Sequence, residues 1–249
     1  MTLQRYKLTI EYDGTNYCGF QKQLDVLQKS VEEILETAIF QLSQERVKIF
    51  ASGRTDSGVH ALGQVIHFDL NKNFDPRNII MGVNSYLRKS QVAVLNCELV
   101  DENFHARFDA KMRHYRYVIV NRIAPLTLQK NRAWHVVKEL DVQKMEQASK
   151  FLVGKHDFSS FRDAQCQAPS PVRSIKEIKI TKNGEEIFVE ISAKSFLHHM
   201  VRNIVGTLFW VGGGKISADD VGEILEAKDR VKSGPNAPAC GRYFLSVEY

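Results

Sequence analysis

The first hundred residues alternate between segments with the two-residue period of a strand and segments with the spacing of a helix. Residues 6–12 alternate apolar and polar side chains, as a half-buried strand does. Ser30 and Glu33 form a capping box before an apolar helical face, and Asp75-Pro76 starts a second helix. Further strands are predicted at 47–51, 64–70 and 92–99. The resulting β-α-β-β-α-β order is the split pattern of ferredoxin-like domains.

The rest of the chain repeats this order without repeating the sequence. The predicted elements are a strand at 113–120, a helix at 142–152, a hairpin of 174–181 and 186–193 around Asn183-Gly184, helices at 196–211 and 218–227, and a strand at 243–248. We therefore predict an α+β protein of two pseudo-symmetric ferredoxin-like halves, residues 1–105 and 106–249. Their antiparallel sheets are expected to meet at a central cleft.

Composition argues against a membrane or metal protein. No apolar run approaches the roughly 20 residues that cross a bilayer, and the amino terminus lacks the apolar core of a signal peptide, so we expect a cytoplasmic protein. The four cysteines (Cys18, Cys97, Cys166 and Cys240) have neither zinc-site nor disulfide-framework spacing. His198 and His199, as neighbours on a predicted helix, would point about 100° apart. We expect no metal.

Positive charge is concentrated in one stretch. Residues 107–132 carry a net charge of +6, whereas the whole chain carries +5. Phe108, Tyr115 and Tyr117 are interleaved with these cations, which favours a polyanion with stackable bases over a merely solvated face. The candidate RNA-binding residues are Arg107, Lys111, Arg113 and Arg122.

The run Gly53–His60 is the strongest functional signal. It places Arg54 and Asp56 two positions apart in a glycine-rich loop, where backbone conformations are available that can hold a side chain at an unusual angle. A lone aspartate in a loop is usually a turn residue. The complete run Gly53–His60 is much rarer than a lone aspartate in a loop.

This run resembles the catalytic loop of the tRNA pseudouridine synthase A family. Other segments extend the resemblance over nearly the whole chain: 11–14, 19–21, 104–108, 115–117 and 198–206. The resemblance implies isomerisation of uridine to pseudouridine at positions 38, 39 and 40 of the tRNA anticodon stem-loop. It further implies a homodimer, with tRNA as its partner and no cofactor.

The resemblance also implies roles for single residues. Asp56 matches the family's nucleophile, although the sequence leaves open whether it attacks the sugar or acts by another route. Arg54 matches an arginine that pairs with the carboxylate or aids base flipping, and Tyr115 matches the tyrosine that packs on the target base. Arg202 lies on an apolar helix, where a cation needs a partner, and Asp56 is the implied one.

Other matching residues are expected to pack rather than react. His60 and His105 are expected to hydrogen-bond within loops, and Phe161 and Cys166 lie in a stretch similar to the family's substrate-facing loop. Arg242 departs from the family, which usually has an apolar residue after the last glycine, so the sequence leaves the packing there open.

Two other functions fit parts of the pattern. A non-catalytic RNA-binding protein has no use for Asp56 in a cleft, and no RNP1-type aromatic signature is present on a strand. A nucleoside-cleaving glycosidase usually needs a second carboxylate, and no paired carboxylate stands out.

Overall fold

The computed structural model describes residues 3–23 and 26–249, and these form strands and helices in alternation. The strands are β1 (Gln4–Tyr12), β2 (Phe50–Ala51), β3 (His60–Leu70), β4 (Val92–Val100), β5 (Met112–Asn121), β6 (Trp134–Val136), β7 (Gly154–Asp157), β8 (Val172–Asn183), β9 (Glu186–Ala193) and β10 (Arg242–Glu248). The α-helices are α1 (Val31–Ser43), α2 (Pro76–Leu87), α3 (Val142–Ser149), α4 (Met200–Gly212) and α5 (Asp220–Ala227). Most strand pairs are antiparallel, so the predicted α+β class is confirmed.

The chain forms two compact units, Met1–Lys111 with Tyr243–Tyr249, and Met112–Arg242. The last strand therefore returns to the first unit, although its sequence position placed it with the second half. There, Tyr243 pairs with His60 and Phe244 with Ala61 in a parallel register. Sequence position could not reveal this pairing, because it joins residues about 180 positions apart.

The sheet of the first unit has β1 at its centre, antiparallel to both β4 and β3. The outer edge of β3 pairs with β2 at Ile66 and His67 and with β10 at its other end. Tyr6, Leu8 and Ile10 are fully buried on one face of β1, where Tyr6 stacks on Phe68 of β3 at 5.8 Å. The predicted strand alternation thus marks the core face.

Both helices of the first unit begin where the sequence predicted. Ser30 Oγ accepts a hydrogen bond from the Glu33 backbone N–H, and the Glu33 carboxylate accepts one from the Ser30 N–H, which completes the capping box of α1. Asp75 caps α2 by accepting from Arg77 N, with Pro76 in the first turn. These local signals act within four residues, so they can be recognised in the sequence.

The second unit has the strand order β5-β9-β8-β7, all antiparallel, with β6 parallel to β5. Helix α3 continues into a short 3-10 turn at Lys150–Leu152, as predicted for 142–152. The short strands β6 and β7 were not predicted. Neither is longer than four residues, so neither shows a readable period.

The hairpin turn and the start of α4 differ from prediction. The hairpin turn is Gly184-Glu185, one residue later than predicted, and Gly184 has a φ of +59°. The predicted helix at 196–211 begins only at Met200, because His199 adopts the left-handed conformation at φ 59° and interrupts any helix before it. The prediction that His198 and His199 share a helix was therefore wrong.

Across the described ranges, none of the helices combines the length and apolar character needed to span a bilayer.

We expect Ser30→Ala to lower the free energy of unfolding by about 1 kcal/mol at pH 7, because the Glu33 amide at the start of α1 loses its partner. The hydrogen bonds to Ser30 hold the pKa of Glu33 below its ordinary value of 4.5. Part of the difference in unfolding free energy between Ser30→Ala and the unsubstituted protein should therefore disappear as pH falls from 4.5 through the lowered pKa of Glu33. Urea unfolding measures both effects. Ser85→Ala, at an exposed position within α2, is the control and should change little.

Candidate active site

The loop that carries Asp56 connects β2 to β3 and is fixed by β3 at its start. Ser52 N donates to the Val65 carbonyl at 2.8 Å, and Gln64 Nε2 donates to the Gly53 carbonyl at 2.6 Å. The Gln64 side chain is fully buried. Its amide therefore ties the loop to the sheet where water cannot compete for the hydrogen bond.

A second segment, residues 13–20, lies directly against the same loop. A Cβ atom on Gly14 would lie 2.0 Å from the Val59 carbonyl oxygen, so only glycine fits there. Gly19 has a φ of +115°, and a Cβ there would lie 2.8 Å from the Thr55 carbonyl oxygen. That carbonyl accepts a hydrogen bond from Phe20 N at 3.0 Å. The two backbones thus touch at both ends of the loop.

The residue before Asp56 is anchored by its side chain as well. Thr55 is 4% exposed, and its hydroxyl shares a buried 2.7 Å hydrogen bond with the Tyr12 hydroxyl of β1. One contact therefore joins three segments that the sequence analysis singled out. Segments 11–14 and 19–21 lie on one side of it, and segment 53–60 lies on the other.

Asp56 itself is half-buried between anchored neighbours, with Thr55 before it and the 1% exposed Val59 after it. Its carbonyl accepts from Val59 N at 3.2 Å, which closes a turn that Gly58 completes with a φ of +75°. Arg54 is exposed. The loop therefore holds one carboxylate on a rigid backbone, as a nucleophile requires.

His60, at the end of the run, is 2% exposed. Its Nδ1 accepts a hydrogen bond from Gly14 N at 3.1 Å, and its ring stacks on Tyr243 with centroids 4.7 Å apart. These contacts give His60 a packing environment of the kind expected from sequence.

In the second unit, Tyr115 is 3% exposed on β5. Phe196 contacts it edge to face with ring centroids 5.0 Å apart, and the Arg242 guanidinium carbon lies 4.3 Å from its ring centroid. Arg242 is only 5% exposed. The residue that departs from the family pattern is thus a buried cation against the face of Tyr115, an attractive arrangement when both are shielded from water.

Arg202 is half-buried in the first turn of α4. Its Nε donates to the Ala237 carbonyl at 2.6 Å, and Ala237 N donates back to the Arg202 carbonyl at 3.2 Å. One turn on, a Cβ on Gly206 would lie 1.7 Å from the Pro235 carbonyl oxygen. The segment 235–237 therefore packs tightly against α4 and fixes the guanidinium.

His198 and His199 stack on each other with centroids 3.9 Å apart, and His199 Nδ1 lies 2.6 Å from an Asp163 carboxylate oxygen. Burial acts to raise the pKa of Asp163, but hydrogen bonds from Gln165 N and His199 leave it below its ordinary value. Cys166 is buried, and His198 N lies 3.5 Å from its sulfur. These contacts hold Asp163 and Cys166 in place, within the stretch that the sequence analysis compared with the family's substrate-facing loop.

The four candidate RNA-binding residues differ in exposure. Arg107 and Lys111 are exposed, whereas Arg122 is half-buried and pairs with Glu185 at 3.0 Å. Arg113 is 8% exposed and donates to the Lys194 carbonyl at 2.5 Å. The cationic stretch is thus not one uniform surface.

Comparison with known proteins identifies the family. A family model described as tRNA pseudouridine synthase matches residues 8–109 and 148–249, including Asp56 and Arg202. The chain belongs to this family. A protein of Anaplasma marginale named tRNA pseudouridine synthase A is 51% identical over 246 residues, 98% of this chain and 100% of that protein. One of Rhodospirillum rubrum with the same name is 49% identical over 245 residues, 98% of this chain and 87% of that protein.

The family membership predicted from sequence is therefore confirmed. Sequence reasoning placed Tyr12 and Thr55 in matching segments but missed the hydrogen bond between them, because it joins residues 43 positions apart. Arg242 did give a signal, as a departure from the family, but only the structure assigns it to Tyr115.

We expect Gly19→Ala to reduce the catalytic rate by roughly 100-fold, because the added Cβ pushes the Thr55 carbonyl and so displaces Asp56. Steady-state kinetics on tRNA, beside thermal unfolding, measures this. Gly184→Ala is the matched control, since Gly184 also has positive φ but nothing lies within 4 Å of a Cβ there. Equal rates in the two variants would contradict the role assigned to the contact.

Proposed function

We propose that this synthase isomerises uridine to pseudouridine in tRNA, at positions 38, 39 and 40 of the anticodon stem-loop. The support is the match to the family over both ranges, together with the two relatives aligned along 98% of the chain. The observation that carries the proposal is Asp56 on a loop whose backbone is fixed from two sides.

The reaction is balanced within the substrate. The N1–C1′ bond of uridine breaks, a C5–C1′ bond forms, and the hydrogen lost from C5 is matched by one gained at N1. Product and substrate are isomers, so the proposal requires neither a redox cofactor nor a group donor. The protein must supply a nucleophile and retain the detached uracil.

In this proposal Asp56 is the nucleophile. A carboxylate reacts in its ionised form, and a rigid loop keeps the entropy cost of positioning it low. Tyr115 packs on the target base, with Arg242 and Phe196 holding its ring from two directions. Arg54 pairs with the carboxylate or aids base flipping, and Arg202 stabilises the negative charge needed in the reaction.

The architecture is proposed to be two ferredoxin-like halves, residues 1–105 with the catalytic loop and 106–249 with Tyr115 and Arg202. The strand order β4-β1-β3-β2 of the first unit supports this, because it is the order that a split β-α-β unit generates. We also propose a homodimer that works in the cytoplasm.

We expect Asp56→Asn to abolish pseudouridine formation while tRNA still binds, because the amide keeps the shape of the side chain but removes its anionic charge. Pseudouridine mapping on an unmodified tRNA transcript, together with a binding titration, measures both properties. A variant that kept a tenth of the normal rate would contradict the assignment of Asp56.

The same assay separates the rival functions. A synthase yields pseudouridine, a glycosidase yields free uracil, and a binding protein leaves the RNA unchanged. Nucleoside analysis of the digested product together with the small-molecule fraction distinguishes the three.

We expect the double change Arg107→Gln and Lys111→Gln to flatten the plot of log affinity for tRNA against log salt. This slope is negative, and its magnitude should decrease by roughly 0.7–0.9 for each phosphate that is no longer neutralised. Both side chains are exposed. Lys179→Gln with Lys182→Gln, two exposed cations on β8, removes the same net charge and is the control. Equal slopes for the two double variants would show that the effect is general charge rather than local binding.

A further inference from the structure

The first unit carries a row of aromatic rings on the sheet face opposite its core. Tyr6 and Leu8 of β1 are buried in the core, so Lys7 between them points to the other face. Lys7 pairs with His67 of β3, and His67 pairs with Phe50 of β2. The Phe50 and His67 rings stack with centroids 4.9 Å apart.

The segment after β4 extends this row outward. Ala106 N donates to His67 Nδ1 at 3.2 Å, which seats the segment on the sheet. The His105 ring then lies 4.7 Å from His67 and 5.3 Å from Phe50, and Phe108 lies 4.3 Å from His105. We call Phe50, His67, His105 and Phe108 the aromatic row.

The aromatic row runs from a buried end to an exposed end. His67 is 1% exposed, Phe50 and His105 are half-buried, and Phe108 is 71% exposed. The turn that presents Phe108 is closed by His105 N, which donates to the Asp109 carboxylate at 2.7 Å, and by Phe108 N, which donates to the His105 carbonyl at 3.1 Å. The turn thus presents the Phe108 ring to solvent rather than to the core.

Two cations flank the exposed rings. The Lys48 ammonium lies 5.2 Å from the centroid of Phe50, and the Arg107 guanidinium carbon lies 5.7 Å from that of Phe108. Both cations are exposed. Stackable rings bordered by positive charge match the two parts of a nucleotide, a flat base and an anionic phosphate.

The two histidines keep this surface aromatic rather than cationic. Burial lowers the pKa of His67 to about 4, and burial also lowers the pKa of His105. Both rings are therefore neutral at physiological pH. The neutral rings can pack edge to face without charge repulsion, and Phe108 lies against the His105 ring.

We propose that Phe108, supported by His105 and Phe50, stacks on an unpaired base of bound tRNA other than the target uridine, while Lys48 and Arg107 contact the flanking phosphates. This inference rests on the proposed function for its partner, tRNA. Within the cationic stretch, Arg107 then contacts a phosphate beside a base that is stacked on Phe108. Charge alone would provide the phosphate contact but not the stacking. Stacking on this surface accepts any base, because every base has a π face.

The test measures binding of an unmodified tRNA transcript to the full chain. Phe108→Ala is expected to weaken binding by roughly 5- to 100-fold, the range for removal of one base–aromatic stack, with Phe108→Tyr close to normal and Phe108→Leu weakened. Tyr86→Ala, at a 52% exposed aromatic on α2, is the control and should leave affinity unchanged. Unchanged thermal unfolding shows that each variant is folded.

A fluorescence measurement tests the stack directly. Phe108→Trp places an indole at the proposed stacking position, and tRNA binding should quench its emission, whereas Tyr86→Trp should show no added quenching. If neither indole is quenched and Phe108→Ala binds normally, the proposal is overturned. The same holds if Phe108→Ala alters self-association in sedimentation while affinity for tRNA is kept, because the surface then faces a second copy of the chain.

The proposed function can fail separately from this inference. Absence of pseudouridine with the unmodified chain, together with tight tRNA binding that depends on Phe108, would overturn the activity and leave the stacking surface in place.

Discussion

The close approach of two backbones, residues 13–20 and residues 53–60, is the contact on which the candidate site depends. It exists because Gly14 and Gly19 lack a Cβ, so carbonyl groups of Val59 and Thr55 can lie where a side chain would otherwise be. A hydrogen bond from Phe20 N to the Thr55 carbonyl, and one shared between the Tyr12 and Thr55 hydroxyls, then hold the loop in place. A carboxylate placed on such a loop has little freedom left to lose in a reaction.

The ring of Tyr115 is restricted in a comparable way. It is held by Phe196 at its edge and by the Arg242 guanidinium over its face. A buried guanidinium is costly unless its charge is compensated, and the ring face provides part of that compensation. This contact offsets part of the cost of burying the Arg242 cation.

The two faces of the first sheet have separate tasks. One face carries Tyr6, Leu8 and Ile10 into the core, and the other carries Phe50 and His67 toward the turn at 105–109. Burial keeps His67 neutral, so the second face stays compatible with stacked rings. The sheet thus supports both the fold and the surface that we propose for RNA.

The sequence by itself determined the features that depend on neighbouring residues: the capping box of Ser30 and Glu33, the start of α2 at Asp75-Pro76, the alternation of β1, the α+β class and the family of the Asp56 loop. Tertiary structure decided the pairing of β10 with β3, the late start of α4 and the buried place of Arg113. It also brought Arg242 to Tyr115, and His105 to Phe50. Local signals act over a few bonded residues and can be read in order. Contacts between distant segments depend on which surfaces exclude water together, and this is fixed only when the whole chain packs.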